Sequence, residues 1–458
     1  MRNFLILLGI YIAAGTAISL YVMRVKQSQE DYFIGGRKIG AVLSALTYAS
    51  TTYSAFMMVG LVGLSYAHGI GAFIFETSYL VATIILLSVY GKKIWQLGKE
   101  QVLISPMELF SARYGHLTSL IGAIICFVAL IPYTSVQVIG LAKILSKFGE
   151  PRITFGTGVI VATLVICIWA FIGGLRGVAI TDALQGLFML GIAVFAVFWT
   201  GNYMGGIEIS RFPNEFWTPA RFINLTLPWC FFALTNPQVS QRLFILRDRN
   251  ALKRMIILFG IFGFLYTLIV TLMGFSAKYG TIKGIFPQIA DRDSVIIEVL
   301  DLMMSRFTTW IALPLALSIV FASVSTANSI ILSLASMFSR DVASQRENVW
   351  WGRIFIIILT AVVGIFSLTR PAYLVELSVA SSKILLCFVP LFFGLFHWGK
   401  GGRYTGIFAL VGGASAGIVT SFFGLSWGSV YTIIIAFILF FLGNVVDERW
   451  GIENGETG

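Results

Sequence analysis

The sequence predicts an all-α, polytopic membrane protein, and three observations carry that prediction. Charged residues make up only 12% of the 458 residues, where a soluble domain carries roughly 25%. Hydrophobic residues make up 57%, and the mean hydropathy of +0.88 is not the work of one segment, because the deficit of charge extends along the whole chain. Apolar runs of about 20 residues recur, each long enough to cross a hydrocarbon core of about 30 Å. The length alone would allow two or three soluble domains. The repeated spans argue instead for one membrane-embedded unit.

Thirteen spans are expected, at about 3–23, 40–68, 72–96, 117–146, 153–173, 178–203, 222–241, 252–277, 308–338, 352–369, 372–396, 404–424 and 428–446. The first lacks a small-residue cleavage site and reads as a retained helix, not a signal peptide. Of the 32 Lys and Arg residues, 20 fall in segments after odd-numbered spans, 11 fall on the opposite side, and Lys383 lies inside a span. Positive charge collects on the cytoplasmic side. The expected placement is therefore a multi-pass plasma-membrane protein with its N-terminus outside and its C-terminus in the cytoplasm. The longest outer connection, about 278–307, holds Asp291-Arg292-Asp293-Ser294 before an apolar run, the pattern of a short capped helix at the surface. Asp447 to Gly458 read as a polar tail, and no soluble domain is appended.

The net charge of +11 is spread between the spans, with no basic run alternating with aromatics, so a nucleic-acid partner is not indicated. Cys126, Cys167, Cys230 and Cys387 all lie in apolar segments and form no CxxC pair. They read as small buried residues, not as a disulfide framework or a zinc site. An HExxH motif is absent, as are suitably spaced aspartates in adjacent spans, which argues against an intramembrane enzyme. No cofactor is indicated.

Two spans carry unusual chemistry. In Thr47-Tyr48-Ala49-Ser50-Thr51-Thr52-Tyr53-Ser54, seven of eight side chains bear a hydroxyl, and Gly60, Gly63, Gly69 and Gly71 follow. Short polar and β-branched residues weaken a helix and offer its backbone other partners. A broken helix at mid-membrane survives where it lines a cavity, and it exposes carbonyl oxygens to a cation. In the ninth span Ser318, Ala322, Ser325, Thr326, Ser329, Ser333 and Ser336 fall on one face. Oxygen ligands without a carboxylate suit a weakly bound monovalent ion. Both patterns also serve close helix packing through small residues.

Ionisable residues within spans are functional candidates by default. Asp182 starts the sixth span, where it either serves an ion route or complements the helix dipole. Glu76 follows the outer end of the second span and is either a charge partner or an interfacial carboxylate. Glu376 and Lys383 share one face of the eleventh span, about 10 Å apart, and Lys383 needs a partner or a water-filled cavity.

At these segments the chain resembles the sodium:solute symporter family over nearly its whole length. Asp31-Tyr32-Phe33-Ile34-Gly35-Gly36-Arg37 looks like the family's first cytoplasmic loop. Tyr53-Ser54-Ala55-Phe56 with Gly60 and Gly63 resembles its second span. Gly173-Gly174-Leu175 through Thr181-Asp182 and Gln185 matches its most recognisable signature. Asn236-Pro237-Gln238 with Gln241-Arg242, and Ala322 through Thr326 closed by Asp341, resemble its seventh and ninth spans. The resemblance implies a LeuT-type 5+5 inverted repeat, with about 40–203 and about 222–396 as the repeats and the spans near 3–23, 404–424 and 428–446 peripheral. It implies a sodium site on the main-chain oxygens of Ser50, Tyr53 and Ala322 and the hydroxyls of Ser325 and Thr326. It puts Asp182 on the inner sodium route, Phe232 at an aromatic gate, and Met57 and Trp229 in the solute pocket. Thr52 stands where proline transporters have a carboxylate, and Met57 and Trp229 replace sugar-contacting polar groups.

The expected function is sodium-coupled import of a small organic solute by alternating access. Lys383 hints at a carboxylate such as a vitamin, an amino acid or a short organic acid. A proton-coupled or cation-independent transporter of the same fold is the first alternative. A membrane sensor is the second, weakened by the short tail.

Overall fold

Helices of membrane length alternate with two that break in the middle, and the breaks set up the site. The computed structural model describes residues 2–23, 28–306, 309–369 and 373–453. Arg24, Lys26 and Arg370, three of the charges used above to orient the chain, lie outside the described residues, as do residues 454–458 of the expected tail. Among the described residues, ten helices are long and apolar enough to cross a membrane. Thirteen is therefore not the number of continuous helices, and the difference has a physical cause. The spans expected at about 153–173 and 178–203 form one run, Phe155–Met204, bent at Gly174. The spans near 40–68 and 222–241 are each cut into pieces. The first runs as Ala41–Thr52, an extended Tyr53, a π turn over Phe56–Leu61, and Val62–His68. The second runs as Pro219–Cys230, Phe232–Thr235 and Pro237–Ser240, with Pro237 denying the last piece an amide donor.

The helix Thr309–Met337 forms the core. It packs against Ala41–Thr52, His116–Gly149 and Phe155–Met204, and its small hydroxyl face lets them approach closely. The exterior is apolar: Ile85, Leu184, Leu187, Phe198, Ile257, Ile261, Ile365 and Ile438 are all exposed, as expected of a surface solvated by lipid. The last two helices, Arg403–Phe422 and Gly428–Glu453, pack on each other. Asp447 is not part of a tail. It lies within the final helix and caps the preceding one, accepting from the amides of Gly402, Tyr404 and Thr405 at 2.8–2.9 Å.

The connection expected on the outer side does form a capped helix, Val295–Arg306, entered through a turn that Asp291 caps. It is not a surface feature throughout, because Arg292 and Asp293 are buried. A Cβ on Gly63 would come within 2.0 Å of the Arg292 carbonyl, so glycine there is what lets the connection lie on Val62–His68, the last piece of the first broken helix.

The bend at Gly174 is built the same way. Its backbone, at φ 52° and ψ −171°, is a conformation nearly reserved for glycine. The bend frees carbonyls one turn earlier, and the Tyr32 hydroxyl donates to two of them, Ala170 at 2.8 Å and Phe171 at 3.0 Å. A Cβ at Gly174 would also lie 2.8 Å from the Tyr32 carbonyl. Gly174→Ala should therefore lower stability by about 1–3 kcal/mol, read as a lower melting temperature of the detergent-solubilised protein. An unchanged melting temperature would mean that the bend is not strained.

Candidate functional site

The first break leaves backbone groups that a continuous helix would pair, and the structure shows where each goes. Ala55 donates its amide to the Gln137 Oε1 at 3.1 Å, and Phe56 donates to the Ser54 hydroxyl at 3.2 Å. On the other side of the break the Ser50 carbonyl, which a continuous helix would pair with residue 54, receives two hydroxyls. Ser325 Oγ and Thr326 Oγ1 both donate to it at 3.0 Å, and Ser325 Oγ also lies 3.2 Å from the Ala322 carbonyl. Four of the five expected cation ligands therefore converge, all buried. The fifth, Tyr53, begins the break, and its ring stacks on Phe259 and Phe262 at 5.8 Å, so its contribution to a shared site is through its backbone. The helix Phe155–Met204 buttresses this point from behind: Ser50 Oγ donates to the Asp182 carbonyl at 2.7 Å.

Asp182 is not a helix-start residue complementing a dipole. It lies well past the bend, inside a continuous run, and is fully buried. Thr47 donates to its carboxylate at 2.6 Å, and the Arg242 guanidinium stands 3.7 Å away. Arg242 is itself fully buried and donates to Ser329 at 2.5 Å and Thr51 at 3.3 Å. This charged layer lies against the ligands above, because Thr47, Ser50 and Thr51 share one helix and Thr326 and Ser329 another.

Glu76 is not interfacial. It is 1% exposed and accepts from the Trp229 indole at 3.3 Å. Trp229 and Phe232 flank the second break, with ring centroids 5.1 Å apart, and Trp229 lies 5.0 Å from Phe56 at the first. Met57 beside it is fully buried. Trp229 and Phe232 thus meet Phe56 where the two breaks face each other.

The pairing of Glu376 with Lys383 does not occur. Glu376 forms an ion pair with Arg292 and lies 3.9 Å from Arg221, because the connection that carries Arg292 reaches over it. Lys383 points toward the last two helices, beside Gly428, where an added Cβ would come within 3.2 Å of its amine.

Sequence reasoning missed Gln137 and the charge pair of Arg242 with Asp182. A lone glutamine in an apolar span was a usable signal for the first. The second needed the fold, since residues 182 and 242 are far apart in sequence. Breaking a buried pair strands the remaining charge. Asp182→Asn and Arg242→Gln should each destabilise the protein, and the double variant should lose less than their sum, by about 0.5–3 kcal/mol. Additive losses in chemical unfolding would show that the two groups do not interact.

The chain matches the model of the sodium:solute symporter family over residues 32–413. It is 24% identical over 469 residues to a sodium/pantothenate symporter of Haemophilus influenzae, covering 95% of this chain and 94% of that one. It is 22% identical over 471 residues to an osmoregulated proline transporter of Bacillus subtilis, covering 96% and 94%. Among solved structures, a Na+-coupled sialic acid symporter in a substrate-bound outward-open state aligns with a TM-score of 0.80 at 16% identity, covering 98% of both chains. The shared fold is the LeuT-type one that the resemblance implied. On the family match across most of its length, this chain belongs to the sodium:solute symporter family.

Proposed function

We propose that this chain, a sodium-coupled importer of a small organic solute, binds its ion on the carbonyls of Ser50, Tyr53 and Ala322 and the hydroxyls of Ser325 and Thr326. The observation that carries this reading is the Ser50 carbonyl, freed by the helix break and met by both hydroxyls at 3.0 Å. Hydroxyls both donate and accept. Rotating their protons away turns two lone pairs toward the point where the carbonyls converge, and a hard monovalent cation takes the place of the hydrogen bonds. Asp182 lies on the inner side of this point and draws the ion toward the cytoplasm. Arg242 holds that carboxylate while no ion occupies it.

The solute binds between the two breaks, against Met57, Trp229 and Phe232. Sodium then ties the first broken helix to Thr309–Met337, and the two states differ in how the broken helices sit against that frame. On the outer face Arg292 and Glu376 close over the pocket. On the opposite face Arg340 pairs with Glu108 at 2.6 Å, and Ser105 donates to Asp341. The repeats at about 40–203 and 222–396 and the cytoplasmic C-terminus belong to the same proposal.

Loss of a hydrogen bond to a charged group costs about 1.5–3 kcal/mol, and an ion–hydroxyl contact is comparable. Ser325→Ala or Thr326→Val should therefore raise the sodium concentration for half-maximal uptake by roughly ten- to a hundredfold in proteoliposomes. Apparent solute affinity at limiting sodium should fall with it, because coupling is reciprocal. Ser329→Ala removes a partner of Arg242 instead and should shift sodium activation much less. Equal shifts at all three positions, or uptake indifferent to sodium, would place the ion site elsewhere.

A further inference from the structure

Within the solute pocket the buried charge is negative. Glu76 comes from the helix Gly71–Glu100 and is 1% exposed, yet it forms no ion pair among the described residues. Among the described residues, the one hydrogen bond it receives is from the Trp229 indole at 3.3 Å. Asp182 is matched by Arg242, and the other buried acids without an ion pair, Asp293 and Asp341, lie outside this aromatic cluster and accept from the Leu374 amide and the Ser105 hydroxyl. Removing a carboxylate from water without a counter-charge is strongly unfavourable.

Around Glu76 the groups are aromatic. Trp229 centres a cluster with Phe56 at 5.0 Å, Phe232 at 5.1 Å, Tyr79 at 6.2 Å and Tyr133 at 6.3 Å. Ring faces carry negative charge density, attract cations and are poor neighbours for anions. Both features, a lone carboxylate and converging rings, ask for the same complement. Lys383, the amine that would recognise a carboxylate, faces Gly428 instead. A sugar would need several polar partners, and this shell is mostly rings.

We propose that the solute carries a cationic nitrogen, with Glu76 as its counter-ion and the faces of Trp229, Phe56, Phe232 and Tyr133 around its carbon substituents. This rests on the reading of the pocket between the breaks as the solute site. Until the solute arrives, the indole holds the carboxylate. The nitrogen then takes that role, which makes occupancy depend on the charge and not on a carboxylate elsewhere in the solute.

The test is binding to the purified protein, read by thermal shift in sodium chloride and again in potassium chloride, with matched probes. L-proline is paired with cyclopentanecarboxylate, and choline with 3,3-dimethyl-1-butanol. Each second compound keeps the shape and lacks the cationic nitrogen. D-pantothenate is the anionic comparison. At least one of the two nitrogen compounds should bind, and its carbon counterpart should bind at least about tenfold more weakly. Glu76→Gln should weaken that nitrogen compound by roughly thirtyfold or more, while the shift produced by sodium alone persists and reports a folded protein. The wild-type ranking decides even if that variant fails to fold. Stronger binding of pantothenate or of a carbon counterpart, no binding of either nitrogen compound at millimolar concentration, or an unchanged Glu76→Gln would overturn the proposal. Absence of any sodium effect on the wild type would instead overturn the coupling reading, with the ranking in potassium chloride still judging the solute.

Discussion

A backbone carbonyl freed inside a membrane has no water to turn to, and lipid offers no donor. The Ser50 carbonyl is in that position because Tyr53 leaves the helix, and much of the surrounding structure answers it. Ser325 and Thr326 reach it from Thr309–Met337, Gln137 takes up an amide on the far side of the break, and the hydroxyl of Ser50 is tied back to Asp182. Three helices distant in sequence are thereby fixed to one point. A continuous helix would need none of these contacts and would present no oxygens to an ion.

The buried charges follow from the same condition. Arg242 and Asp182 are tolerated at depth because each has the other, and because Thr47, Thr51 and Ser329 add hydrogen bonds to them. A pair of this kind adds little net stability. What it adds is a buried carboxylate beside Ser50, one of the proposed ion ligands. Glu76 is buried among rings with an indole as its hydrogen-bond partner and no ion pair among the described residues, and the proposed cationic solute would supply its counter-charge.

Much of this was legible in the sequence. The hydroxyl-rich run of the second span and the small polar face of the ninth are properties of single segments, and the two were expected to face each other. The break itself was readable because glycine, serine and threonine cluster where a span should be apolar. The thirteen expected spans correspond to ten long helices among the described residues because hydropathy sees a bent helix as two and a broken one as whole: Phe155–Met204 runs on through the bend at Gly174, and Pro237 divides a run that composition leaves intact. Partners were least legible. Glu376 and Lys383 share a helix face, yet Arg292 claims Glu376 from a connection some 80 residues away in sequence. Periodicity within one span carries no information on such long-range choices.

The central claim is that a sodium ion joins the broken segment at Ser50 to the helix carrying Ser325 and Thr326. Hydrogen–deuterium exchange of the amides from Tyr53 to Met57, followed in sodium and in potassium at equal ionic strength, tests it most directly. An ion that ties the break to its neighbour suppresses local opening, so exchange in this segment should slow in sodium. It should slow much less in Thr326→Val. Equal exchange in the two salts, with the wild-type protein folded in both, would contradict the account.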